Sequence, residues 1–153
     1  AIDREKFYEI LMHETDVGIG ISTVAEVDQF GLLKANNMAF IRALEQLPRR
    51  PAFLLVDGRD RLKLPYPHKT IIKGDAKIKI IACASIIAKV TRDRLMDDLD
   101  KIYPHYGFRQ HKGYGTKQHQ DALKKHGATP IHRKSFAPVH QLLQQSFEDF
   151  NVF

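Results

Sequence analysis

The stretch IIKGDAKIKIIACASIIAKVTRD, Ile71 to Asp93, decides the fold. Ile71 and Ile72 are β-branched and lead in as a strand does, and Gly74 just before Asp75 supplies the conformational freedom of a strand end. From about Ile80 the period changes. Ala84, Ala88, Thr91, Leu95, Leu99 and Ile102 recur at steps of three and four, which predicts one buried stripe of a helix stopping near Tyr103-Pro104. Ser85, Lys89 and Asp93 fall on an adjacent polar stripe. An acid at the exit of a strand, followed by a helix with a polar stripe, is a common way to build a site in an α/β domain.

A second such element lies upstream. Ala52 to Val56 (AFLLV) is apolar throughout, as a central, often parallel strand would be, and it too runs into an acid and a glycine, Asp57-Gly58. Neighbouring parallel strands bring their carboxyl ends together and would set Asp57 beside Asp75. Two close carboxylates repel and stay ionised only with a cation between them; hard oxygen ligands without Cys or His select Mg²⁺ or Mn²⁺. On spacing alone the plainer reading is that each Asp starts a turn, as Asp-Gly and Gly-Asp pairs do, and both readings stand at this point. The intervening Arg59 to Lys69 carries Pro65 and Pro67 and is too short for a crossover helix, so either it crosses in extended form or the two strands are related through a neighbour.

Composition sets the bounds. With 153 residues, 43% of them apolar and 27% charged, the chain suits one globular domain with a real core. A net charge of +6 and a pI near 9.5 ask for a polyanionic partner, though solubility alone could account for them. The single Cys83 cannot form an internal disulfide, which fits a reducing cytoplasm, and no secretory signal or bilayer-length apolar run stands in the sequence.

Along the chain, residues 4 to 12 suit a helix with Phe7, Ile10 and Leu11 on its apolar face. Val17 to Ile21 alternates glycine with β-branched residues, which predicts a strand with something packed closely on its glycine face. Thr23-Val-Ala-Glu26 is a capping box that opens a helix running to about Leu47, interrupted at Gly31, with Val27, Leu33, Phe40, Ala43, Leu44 and Leu47 inward. Arg49-Arg50-Pro51 ends it. Thr116 to His126 forms a short helix capped by Gly127, and Pro138 to Phe147 a final one with Val139, Leu142, Leu143 and Phe147 packed inward.

Between Tyr103 and Lys134 stand seven Lys or Arg, five His and one acid, with Tyr103, Tyr106, Phe108 and Tyr114 interleaved. Basic side chains neutralise phosphates and aromatic rings stack on sugars or bases, so the mixture suits a nucleic-acid groove; a solvated basic surface fits it equally. Within it, HKGYGT (His111 to Thr116) presents a tyrosine between glycines. The histidines show neither zinc spacing nor a His-Glu-x-x-His pattern, and no glycine-rich phosphate loop precedes a lysine.

VDG (Val56 to Gly58), KLPYPHKTIIKGD (Lys63 to Asp75), ASIIAKVTRD (Ala84 to Asp93), YGFRQHKGYGT (Tyr106 to Thr116) and HGATPIHRKSFAPV (His126 to Val139) together resemble type 2 ribonuclease H, ribonuclease HII, over almost the whole chain. Five blocks in order are far more specific than any one of them. The resemblance implies an α/β fold: a ribonuclease H-like mixed sheet flanked by helices, its N-terminal strands missing here, with a catalytic core over residues 1–103 and a helical, substrate-binding part over 104–153 packed on the same domain. It implies an endonuclease that cuts the RNA strand of RNA/DNA hybrids, and at single ribonucleotides in duplex DNA, through two Mg²⁺ or Mn²⁺ ions, acting as a monomer in its full-length form.

By motif match Asp57 and Asp75 correspond to two of the family's four metal-binding carboxylates. Tyr114 matches the tyrosine that reads the ribonucleotide beside its 2′ hydroxyl, and Ser85, Lys89 and Lys112 match positions that approach the nucleic acid. Asp93 reads as a structural partner of Lys89 or Arg92. The family's opening strand with its Asp-Glu pair and Gly-Arg-Gly turn, and a following Asp-Ser-Lys-Lys stretch, have no counterpart in these residues. The expectation is therefore a fragment active only if the missing segment is supplied; the alternatives are a shortened paralogue that binds hybrids without cutting them and an unrelated basic α/β binding module, which five ordered blocks disfavour.

Overall fold

Thr23 and Glu26 close a reciprocal capping box: the threonine hydroxyl accepts from the Glu26 amide while the glutamate accepts from the Thr23 amide. A helix can start only where such partners meet its orphan amides. The computed structural model describes residues 2–59 and 62–150, and the side chains of Gln145 to Phe150, Phe147 among them, lie outside what is described. The elements follow in order: α1 (Ile2–Glu14), α2 (Val24–Phe30), α3 (Leu32–Glu45), β1 (Leu54–Asp57), β2 (His68–Ile71), a single 3₁₀ turn (Gly74–Ala76), α4 (Lys79–Ile102), α5 (Phe108–His111), α6 (Lys117–His126) and α7 (Ala137–Phe150). The α/β class expected from the sequence is present, as mostly helices around a small sheet.

The chain divides into two compact units: Ala1–Ser22 with Leu32–Thr91, and Thr23–Gly31 with Arg92–Phe153. The changeover falls inside α4, at Thr91, and not at the end of that helix.

In the first unit, β1 and β2 form a parallel pair in the register Leu54↔His68 to Asp57↔Ile71. The strands are direct neighbours and not related through a third, and the ladder continues past both ends through Leu54 N to Pro67 O at 2.9 Å and Gly58 N to Ile71 O at 3.1 Å; the connection itself lies partly outside the described residues. The apolar run did not make a strand buried on both faces. Val56 is buried while Leu55 and Phe53 are exposed, the alternation of a sheet covered on one side.

Val17 to Ile21 is irregular and not the expected strand. Its backbone is satisfied by side chains of α3 and the turn after it, in place of a neighbouring strand. Gln46 bonds both the amide and the carbonyl of Ile19 at 3.1 and 2.8 Å, and Arg42 donates to the Ile21 carbonyl at 2.6 Å. The close packing expected of the glycines is real: a Cβ on Gly18 or Gly20 would come within 1.9 Å of the Ala43 oxygen or 1.8 Å of the Ala39 oxygen.

Several helix faces differ from those read off the periodicity. In α1 the inward residues are Tyr8 and Leu11, with Phe7 and Ile10 exposed. In α3 Ala35 is buried and Leu33 exposed. In α4 the buried residues are Ile81, Ile87 and Val90, while Ala84, Ala88, Leu95 and Ile102 are exposed. The real seam runs through the larger β-branched residues, which bury more apolar surface than alanine does and decide the helix rotation. Tyr8, Ile87 and Val90 form the core of this unit, with Leu11, Val17, Ile19 and Ile86 packed around them.

The second unit is built on rings. Tyr106 and Phe108 stack at 5.4 Å, and His111, His119 and His132, all buried, pack around Phe108. Burial of a side chain like Phe108 contributes about 2–3 kcal/mol. Leu123 of α6 and Val139 of α7 are buried in the same unit. Asp28 on α2 accepts from the amides of Lys134 and Ser135 at 2.8 and 3.0 Å and from the Ser135 hydroxyl at 2.6 Å. These bonds, the hydroxyl foremost, hold its carboxyl below the usual range despite partial burial. Among the described residues no helix is long and apolar enough to cross a membrane.

Candidate active site

Asp57 is the last residue of β1, and its Oδ1 accepts the backbone N–H of Gly74 at 2.8 Å. Asp75 follows Gly74 in the 3₁₀ turn, and its Oδ1 caps the Ala76 amide at 2.9 Å. The parallel register therefore brings the two acids to one end of the strand pair, as the two acidic strand exits predict. Both are exposed, and each keeps a second carboxylate oxygen beyond the one that takes an amide.

Gly74 sits in a tight place, where a side chain would oblige the end of Ile81 to shift. A Cβ there would lie 2.8 Å from Ile81 Cδ1, in the first turn of α4, and 3.5 Å from Asp57 Cα. Lys73 enters the turn with a left-handed backbone, φ +56, which a non-glycine residue adopts only when its surroundings impose it. Sequence reasoning passed over this residue, and nothing in its type signals the strain.

Oxygen ligands of this kind suit a hard divalent cation. Among the described residues no three His, Cys, Asp or Glu side chains gather as a metal site, so the pair fits one part of such a centre and not the whole. Ser85, exposed, and Lys89, half-buried, stand one turn apart on α4 within the same unit.

The other candidates belong to the second unit. Tyr114 is 60% exposed, presented as the flanking glycines suggest. Arg92 Nη1 donates to its hydroxyl at 2.8 Å with the guanidinium 5.2 Å from the ring centroid. Asp93 holds Arg92 through Nη2 at 2.7 Å and Nε at 3.1 Å, the structural role expected of it. Burial works against the Arg92 charge, but the bonds to Asp93 and Tyr114 outweigh it and keep its pKa above the ordinary arginine value. Lys112 does not stand out toward a phosphate: its amine is taken by the Asp97 carboxylate and the Asp93 carbonyl. Like Lys73, it has a left-handed backbone, φ +50.

The feature that the residue pattern did not reveal is the histidine cluster behind Tyr114. His111 and His119 stack at 4.5 Å, and His119 Nε2 lies 3.1 Å from His132 Nε2. Burial among aromatic rings has no signature in the sequence except their interleaving.

A profile of the ribonuclease HII family matches residues 6–139. The chain is similar to the ribonuclease HII of Lactobacillus helveticus (strain DPC 4571), 53% identical over 131 residues, covering 86% of this chain and 52% of that protein. It is similar to the ribonuclease HII of Thermotoga maritima at 46% identity over 140 residues, covering 92% of this chain and 58% of that protein. The chain thus spans about half the length of the curated relatives it matches. Its fold is similar to the crystal structure of the ribonuclease H2 from Pyrococcus horikoshii OT3, with TM-score 0.72 and 26% identity, covering 94% of this chain and 76% of that one. With the acidic strand ends and the glycine-flanked tyrosine on the same chain as this match, the protein belongs to the ribonuclease HII family.

Proposed function

We propose that this chain is part of an endonuclease that hydrolyses the RNA strand of RNA/DNA hybrids and cuts at single ribonucleotides in duplex DNA. The observation that carries the reading is the hydrogen bond from Gly74 to Asp57, which ties the two acidic strand ends together in a member of the ribonuclease HII family. Asp57 and Asp75 are the residues that would hold Mg²⁺ or Mn²⁺. Divalent ions bound there would supply activation of the attacking water and stabilisation of the leaving 3′ oxygen. The chain's own part is to fix the two carboxylates: the backbone amides of Gly74 and Ala76 each neutralise one carboxylate oxygen and leave the other oriented for a ligand.

Tyr114 reads the sugar next to its 2′ hydroxyl, with its ring exposed and its hydroxyl steadied by Arg92. Ser85 and Lys89 are the residues of α4 that would meet the phosphate backbone. Lys112 joins them only by releasing Asp97. The remaining carboxylates of a two-ion site belong to a segment outside these 153 residues, a reading supported by the share of its relatives that the chain spans. The enzyme would work as a monomer in the cytoplasm.

A second reading, binding without cleavage, is favoured for this length of chain because among the described residues no third acid gathers with the two, and two ions need further carboxylates to hold them about 4 Å apart. The test is incubation with Mn²⁺ and a DNA duplex bearing one ribonucleotide. Cleavage on the 5′ side, abolished by Asp75→Asn, supports the first reading. Binding that prefers the ribonucleotide, without cleavage, supports the second, and neither binding nor cleavage removes both.

A further inference from the structure

The buried histidines form a directional chain that ends on the backbone of Tyr114. At one end His132 Nδ1 meets both the Thr129 amide at 3.1 Å and the Thr129 hydroxyl at 2.8 Å; the hydroxyl can donate or accept, but a peptide N–H can only donate, which assigns that nitrogen as the acceptor. His132 is then protonated on Nε2 and donates to His119 Nε2 at 3.1 Å. His119 in turn is protonated on Nδ1, which donates to the Tyr114 carbonyl at 3.0 Å, and a carbonyl can only accept. The Thr129 amide at one end and the Tyr114 carbonyl at the other favour one assignment of protons that satisfies every link, with the Thr129 hydroxyl donating to the same His132 nitrogen. His111 stacks on His119 with its Nε2 donating to the Tyr106 carbonyl at 2.7 Å and its Nδ1 accepting the Gly113 amide at 3.3 Å, so the same cluster grips the residue before Tyr114 as well.

A tyrosine flanked by Gly113, with φ +78, and Gly115 has a backbone with little preference of its own. Its amide donates to the His111 carbonyl and its carbonyl accepts from the Thr116 amide, both at 2.8 Å, and His119 adds a side-chain bond to that same carbonyl. Arg92 steadies the hydroxyl, but that contact is on the exposed ring, whereas the bond from His119 is to the backbone and is part-buried. We propose that His119 is a positioning residue for Tyr114, and that His132 fixes the His119 tautomer that makes this possible. Its consequence for recognition rests on the reading that Tyr114 contacts the ribonucleotide.

The tautomers are tested directly, in the full chain at neutral pH, by long-range nitrogen–proton NMR of the imidazoles. The expected result is Nδ1–H on His119 and Nε2–H on His132; the reverse on either ring, or a charged ring, overturns the proposal. Positioning is tested with His119→Asn, whose amide nitrogen falls where Nδ1 was and can still donate, against His119→Leu, which cannot. The Gly113, Tyr114 and Gly115 amide resonances should move in His119→Leu and return in His119→Asn. The preference for a duplex with one ribonucleotide over the all-deoxy duplex should fall about tenfold in His119→Leu, the scale of one lost hydrogen bond. Affinity for the all-deoxy duplex should stay within about twofold. Equal losses on both duplexes, or no recovery in His119→Asn, count against it. A wild-type chain with no preference for the ribonucleotide removes the reading of Tyr114, and the amide resonances then decide the positioning role alone.

Discussion

The backbone N–H of Gly74 donates to the Asp57 carboxylate across 2.8 Å, so the residue preceding Asp75 is anchored by the acid that ends β1. Asp57 thereby has two tasks, holding the turn and offering a ligand oxygen, and the two can be separated by substitution.

Asp57→Asn keeps an oxygen that accepts from Gly74 but loses the charge that would attract a cation. Its stability should stay close to that of the wild type, while Mn²⁺ affinity, followed by water-proton relaxation, should fall about tenfold or more. Asp57→Ala loses both and should in addition be less stable by about 1 kcal/mol. Identical Mn²⁺ titrations for wild type and Asp57→Asn would remove this acid from the site.

Gly20 and Gly31 separate two reasons for glycine. At Gly20 a Cβ would meet the Ala39 oxygen at 1.8 Å, and the obstacle is helix backbone, which cannot rotate aside. At Gly31 nothing lies within 4 Å, and only the backbone, φ +79, resists a side chain. Gly20→Ala should therefore destabilise by about 3 kcal/mol and Gly31→Ala by about 1 kcal/mol. Equal shifts in the urea midpoint would show that α3 does not press on the segment in solution.

That same segment shows what the sequence could and could not disclose. Helix ends were legible because they are written in local chemistry: Thr23 with Glu26, Thr116 at the start of α6, Gly127 at its end and Pro104 after α4. The acidic strand ends were legible in part: Asp57 ends β1 as read, whereas β2 stops at Ile71 and Asp75 stands four residues on, in the 3₁₀ turn. The glycine alternation at 18 and 20 looks like a strand, yet its cause is α3 lying on it, a tertiary contact with no local sign. The facing of α4 was misread for a related reason. Its heptad-like spacing of alanines and leucines competes with a second seam through Ile81, Ile87 and Val90, and only the partner surface chooses between them.

Lys73 and Lys112 are, among the described residues, the two non-glycine positions with positive φ. Each stands two residues before a candidate functional side chain, Asp75 in one unit and Tyr114 in the other. Backbone strain that persists next to such residues is held there by its surroundings. Replacing Lys73 by glycine relieves the strain at some entropic cost, and replacing it by valine aggravates it. The order of stability should be Gly, then Lys, then Val, spread over about 2 kcal/mol. A valine variant as stable as the wild type would show that Lys73 is relaxed in solution.

His132 gives the second unit a dependence on pH whose sign follows from burial. Buried beside His119, it is pushed down to about 4, by desolvation first and by its neighbour second, and His119 is lowered too, again mainly by burial. An unfolded imidazole titrates near 6.5, so between that value and about 4 the unfolded chain binds a proton that the folded chain refuses. Above pH 6.5 both states are neutral and the group costs nothing. As the pH falls through the window the cost should grow to about 2–3 kcal/mol. Protonation of His132 would also place a second hydrogen on Nδ1, against the Thr129 amide that now donates to it, leaving the Thr129 hydroxyl to turn and accept it. His132→Gln removes the titration while its amide nitrogen can still donate to His119. Its urea midpoint should fall less than that of the wild type between pH 7.5 and 4.5, and the two curves should converge or cross toward the acid end. A parallel fall in both proteins would mean that the ring is solvated enough to charge in place, and that the cluster is not the sealed, neutral core its geometry describes.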